Sequence, residues 1–107
     1  MTRTREITIP KGDYGYNLAF VATDASGNEY NLTDYTLTFK VWTYNIPATL
    51  LLSGACVIDP GDNWKCSYTV ASGDFDTEGE FEGELEITKA GAVESFRRIR
   101  LLVRESG

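Results

Sequence analysis

From Gly79 to Ile87 the chain alternates without a slip. Phe81, Gly83, Leu85 and Ile87 take one set of positions, and Glu80, Glu82, Glu84 and Glu86 the other. A two-residue period puts successive side chains on opposite faces of an extended strand, whereas a helix would scatter these acids around its girth. The stretch is predicted as a strand with one apolar face and one wet face. The next segment places Val93, Ser95, Arg97, Ile99, Leu101 and Val103 on one face, and Glu94, Phe96, Arg98, Arg100 and Leu102 on the other. A turn over Thr88–Ala92 with Ile87 opposite Val93 would set Glu82 against Arg98 and Glu80 against Arg100. The ladder Glu80, Glu82, Glu84, Arg98 and Arg100 is read as structural, because a one-residue slip would bury the acids or expose the core. Each exposed pair adds only about 0.2–1 kcal/mol, and a charged face also resists edge-to-edge aggregation.

The same patterning recurs through the 107 residues, with turn signals between short runs and no helical period sustained for three turns. "REITI" reads as a first edge strand closed by Pro10. Tyr16, Leu18, Phe20 and Ala22 alternate inward on the next, and "DASGN" (Asp24 to Asn28) reads as a turn. "YTLTFKVWTY" is the clearest strand, with Leu37, Phe39 and Val41 on one face and Lys40, Trp42 and Tyr44 on the other. Asn45 to Ala48 breaks it, "TLLLSGACVI" supplies one or two short strands, and Asp59 to Asn63 turns the chain into "WKCSYTV". The predicted fold is all-β: a single immunoglobulin-like antiparallel β-sandwich of about seven to nine strands spanning 1–107. Its expected core is Phe20, Leu37, Phe39, Val41, Trp64, Tyr68, Phe81, Leu85, Ile99 and Leu101.

Charge and composition exclude several functions. Ten Lys and Arg against 16 Asp and Glu leave a net charge of -6, the wrong sign for gripping a phosphate backbone, so no nucleic-acid partner is expected. No apolar run approaches a membrane span, and the first residues lack the apolar region of a signal peptide. The sequence therefore predicts a soluble chain made in a cytoplasm, with no membrane partner. Histidine, the commonest general base and metal ligand, is absent. No catalytic residue, metal site or cofactor is predicted.

Four local features admit a sharper chemistry. Asp74, Asp76, Glu78 and Gly79 match the first, third, fifth and sixth positions of a calcium loop, but Leu85 stands where a bidentate Glu belongs. Cys56 and Cys66 are placed face to face across the Asp59–Asn63 turn, either as two buried thiols or as a cross-strand disulfide. Asn31 to Thr33 forms a glycosylation sequon that a non-secreted chain would not use. Trp42 and Tyr44, with Lys40, form a candidate interaction face: a protein contact, a sugar platform, or a second packed layer.

The run "KGDYGYNLAFVATDASGNEYNLTDYTLTFKVW" resembles the N-terminal domain of the phage baseplate upper protein family. The resemblance lies in the Gly12-Asp13 turn, the strand Leu18 to Thr23, the turn Asp24 to Gly27, the Leu32-Thr33 step and the strand Thr36 to Val41. The Asp59 to Asn63 turn, Gly79 with Phe81, and the closing "RIRLLV" extend it over nearly the whole chain. It implies an immunoglobulin-like structural adaptor of a phage tail, without catalysis. Such a module would be carried in the virion, made in the bacterial host cytoplasm, and partnered by other tail proteins and by copies of itself as a homo-oligomer. A carbohydrate-binding or calcium-dependent adhesion sandwich is the alternative from the residues themselves.

Overall fold

The structure, a computed structural model, describes residues 5–23, 26–44 and 47–105, with backbone alone at 5 and 94–98. Among these residues are eight strands and no helix. They are β1 (Arg5–Pro10), β2 (Asn17–Val21), β3 (Thr36–Thr43), β4 (Leu50–Ala55), β5 (Val57–Ile58), β6 (Lys65–Thr69), β7 (Gly79–Lys89) and β8 (Ala92–Arg104). One five-stranded sheet has the order β1-β8-β7-β3-β4, and a three-stranded sheet the order β2-β6-β5. In immunoglobulin terms β2, β6 and β5 stand as B, E and D, while β8, β7, β3 and β4 stand as G, F, C and C′. The two sheets close on one core, as the alternation predicts.

One pairing departs from the antiparallel expectation. β1 runs parallel to β8, with Ile7 opposite Leu101 and Ile9 opposite Val103. Parallel neighbours need a long crossover. Here the rest of the sandwich supplies it, because the paired strands come from opposite ends of the chain.

At the centre of the core lies Phe39, fully buried, with the rings of Phe20 and Tyr68 at 5.2 and 5.3 Å. Tilted aromatic pairs at this spacing add about 0.5–1.5 kcal/mol each beyond their burial. Two glycines make room for the cluster. A Cβ on Gly54, opposite Phe39 on β4, would run into the Tyr68 ring, and one on Gly83 would lie 3.2 Å from Phe39. Phe20, Leu37, Phe39, Val41, Tyr68, Leu85, Ile99 and Leu101 are buried as expected, and Phe81 is partly so. Trp64 is not. It sits half-exposed at the start of β6 with the Lys65 ammonium 4.7 Å above its ring, so Lys65 folds back over it rather than pointing away. Ile9, Leu18, Ala22, Leu32, Cys66, Val70, Phe75, Ile87 and Val103 complete the core.

The β7–β8 hairpin is tighter than the predicted Thr88–Ala92 turn. Lys89 pairs with Ala92, leaving Ala90 and Gly91 as the loop, with Gly91 at φ 82°. A bulge opposite Glu84 and Leu85 then absorbs an extra residue of β8. Beyond it Glu84 pairs with Arg98, Glu82 with Arg100 and Glu80 with Leu102, in place of the expected Glu82–Arg98 and Glu80–Arg100 pairs. Because the bulge reverses the phase of β8, Val93 falls opposite Thr88 and is exposed instead of facing the core.

Candidate interaction face

The outer face of the larger sheet gathers most of the residues singled out from the sequence. β3 brings Lys40 and Trp42, β7 the even-numbered glutamates, β8 Arg100 and Leu102, and β1 Glu6 and Thr8. Lys40 donates to Glu86 Oε2 at 2.9 Å, and both side chains are about three-quarters covered. Arg100 donates to Glu80 Oε1 and lies 3.8 Å from Glu6 Oε2. Its guanidinium is held more firmly charged by Glu80 first, then by Glu6 and the nearby Tyr44 hydroxyl. The Glu80–Arg100 contact forms diagonally although the two are not in direct register. The side chain of Arg98 lies outside the described residues, as do those of Phe96 and Arg97, and so do the Asp24 and Asn45 ends of two predicted turns.

The three members of the predicted face differ in what they offer. Lys40 is tied to Glu86. Trp42 is half-buried, and its covered Nε1 has no hydrogen-bond partner among the described residues. Tyr44 is half-exposed. A sugar platform needs both rings open, and only one is. At the same end of the β3–β4 hairpin as Tyr44, Leu50 and Leu51 are 42% and 53% exposed. Leu51 also borders a cleft of about 180 Å³ with Val41, Phe75 and Phe81. These leucines were not singled out from the sequence. The available signal was that no charged residue stands between Lys40 and Asp59.

Asp74 to Glu78 form the loop that leads into β7. Asp74 Oδ2 accepts from the Tyr68 hydroxyl and from the Ala71 amide at 2.8 Å, and Glu78 Oε1 accepts from the Glu105 amide at 3.2 Å. Between them Phe75 turns into the core, its carbonyl accepting from the Gly12 amide. Asp76 lines a surface hollow with Lys11, Gly12 and Glu105 and also the cleft beside Phe75. Among the described residues no three potential ligands gather for a metal ion. Tyr68 is pushed above its ordinary range by burial and then by Asp74, and the buried Tyr16 hydroxyl also moves up, chiefly through burial.

Cys56 and Cys66 are free thiols joined by a side-chain hydrogen bond. They meet differently from the expectation, since Ile58 rather than Cys56 is Cys66's ladder partner. Cys56 stands between β4 and β5, its amide donating to the Leu37 carbonyl at 3.0 Å. The hydrogen bond to Cys66, then burial, push the Cys56 thiol up. Cys66 is drawn down by the same bond, against the effect of its burial.

No family model matches the chain, and no curated protein matches it.

Proposed function

We propose that this chain is a non-catalytic structural adaptor of a phage tail or baseplate, acting through contacts with other tail proteins and with copies of itself. The observation that carries the reading is the grouping of Tyr44, Leu50 and Leu51 as exposed apolar surface at one end of the larger sheet. Apolar side chains gathered at one place on a small domain mark a contact surface more readily than scattered ones do. The turn-and-strand series that resembles the baseplate upper protein domain supports the tail assignment. It runs through the Gly12 turn, β2 and β3.

Quantitative mass spectrometry of purified particles from the phage or prophage encoding the chain tests this reading. The chain is expected at a fixed copy number relative to the tail proteins. Leu51→Glu is expected to weaken its binding to the recombinant tail partner at least tenfold, as loss of an anchoring apolar side chain does. Absence from intact particles would overturn the reading.

A further inference from the structure

The two edges of the larger sheet are β1 and β4. The Cys56 amide bonds to the Leu37 carbonyl, and the register continues from there through Phe39 with Gly54 and Val41 with Leu52. In an antiparallel ladder bonded and non-bonded pairs alternate. Phe39–Gly54 and Val41–Leu52 are therefore the bonded pairs, and the amides and carbonyls of Ser53 and Ala55 point away from β3. They face an edge with no neighbouring strand among the described residues.

An open row of backbone donors and acceptors is a template for another strand, which proteins usually guard with charge, proline or a bulge. β1 carries Glu6 and ends in Pro10. β4 has no charge and no proline, and its bulge is confined to the Leu50–Leu52 end, leaving Ser53 to Ala55 regular. On the smaller sheet, Ala19, whose backbone faces the outer side of the edge strand β2, already has a partner, and β5 is only two residues long. β4 thus leaves a neutral edge open, regular over Ser53 to Ala55.

We propose that β4 pairs antiparallel with β4 of a second copy, around a two-fold axis at Ser53, joining the two larger sheets into one continuous sheet. The proposal rests on the reading of this chain as a module that works through subunit contacts. Placing the axis at Ser53 makes the outward-facing Ser53 residues of the two copies a bonded pair. The same register sets Leu52 against Gly54 of the other copy, bulky against small, and brings Ala55 to the bulged end at Leu51. Symmetry repeats the match on the other side of the axis. Electrostatics favour a second copy at this place. A chain of net charge -6 repels itself over most of its surface, but the stretch between Lys40 and Asp59 carries no charge to oppose its own image.

Sedimentation equilibrium over a wide concentration range tests the pairing, using the intact chain and two variants. The native chain is expected to show a monomer–dimer equilibrium. Ser53→Pro removes the outward amide while leaving the bonds between β3 and β4 in place, and Ala55→Lys puts a cation at both ends of the contact. Each is expected to weaken dimerisation at least tenfold, with the melting of the dilute monomer unchanged. Should the proline variant fold poorly, the exposed Ala55→Lys decides. A native chain that stays monomeric throughout, or variants that dimerise as tightly as it does, would overturn the pairing. A monomeric native chain whose tail-protein binding is lost in Ala55→Lys would give β4 to a strand of that protein instead. A dimer that never enters phage particles would keep the pairing and remove the adaptor.

Discussion

The two edge strands of the larger sheet use their apolar residues for opposite purposes. On β1, Ile9 is fully buried and Ile7 packs against the core, while Glu6 faces Arg100 and Pro10 ends the strand. On β4, Gly54 turns inward beneath the Tyr68 ring, Leu52 is partly buried, and Leu50 and Leu51 stand in water. Both edges belong to one sheet, yet one is closed by charge and packing and the other is left able to accept a strand. A folded domain can hold an edge firmly from within while leaving its outer hydrogen bonds unmade, since the two faces and the edge of a strand are chemically independent.

The contrast breaks most visibly if stability is measured at Ile9 and Leu51. Ile9→Ala is expected to cost about 2–5 kcal/mol in urea unfolding, as truncation of a buried aliphatic does. Leu51→Ala in the dilute monomer is expected to stay within about 0.5 kcal/mol, as surface changes do. Equal losses at the two sites would mean that β4 serves the fold as β1 does.

A smaller but sharper effect is expected at Gly54. Adding one methyl group there places a carbon against Tyr68 Cε1, so Gly54→Ala is expected to cost about 1–3 kcal/mol through overpacking. Gly12→Ala, whose Cβ would meet nothing within 4 Å, carries only the strain of its positive φ and separates the two causes.

Tyr68→Phe removes the hydrogen bond to Asp74 and is expected to cost about 1 kcal/mol at neutral pH. Because burial and Asp74 raise its folded pKa, the folded state keeps a proton that the unfolded chain sheds above about pH 10. The stability this residue contributes is complete below that pH and is lost as pH climbs toward the folded value. Unfolding measured across alkaline pH should therefore fall less steeply in the variant. The smallest effect belongs to the guarded edge: Arg100→Gln is expected to shift the melting temperature only slightly, as loss of an exposed pair does, and to matter less in high salt.

Much of the fold was legible because alternation is a local property. Leu37, Phe39 and Val41, or Leu85 and Ile87, are buried for the same reason that Lys40, Glu84 and Glu86 are not. The acid ladder was legible as a face but not as a list of partners. The Gly91 turn and the bulge at Glu84 and Leu85 shift the register by amounts that the alternation of either strand alone does not reveal. Trp64 looked like core because it continues the spacing of Cys66 and Tyr68, yet it lies just before the first β6 pairing, where the smaller sheet ends. Phe75 was hidden among acids, of which Asp74 holds the Ala71 amide of the same loop and Glu78 the Glu105 amide beyond β8. Of the candidate face, Trp42 and Lys40 were placed on the correct side of β3, and the covering of one and the pairing of the other depend on neighbours distant in sequence.

The chain by itself determined that it would be built of strands, which side chains each long strand would turn inward, and where most turns would fall. Those outcomes follow from covalent geometry and from side chains a few residues apart. Only the tertiary structure decided that β1 would lie parallel to β8, that Tyr68 would need a glycine opposite it, and that β4 would be left as an edge. Each of these depends on which distant segments meet, and backbone donors and acceptors are the same at every residue except proline, so they carry no label saying which strand they will find.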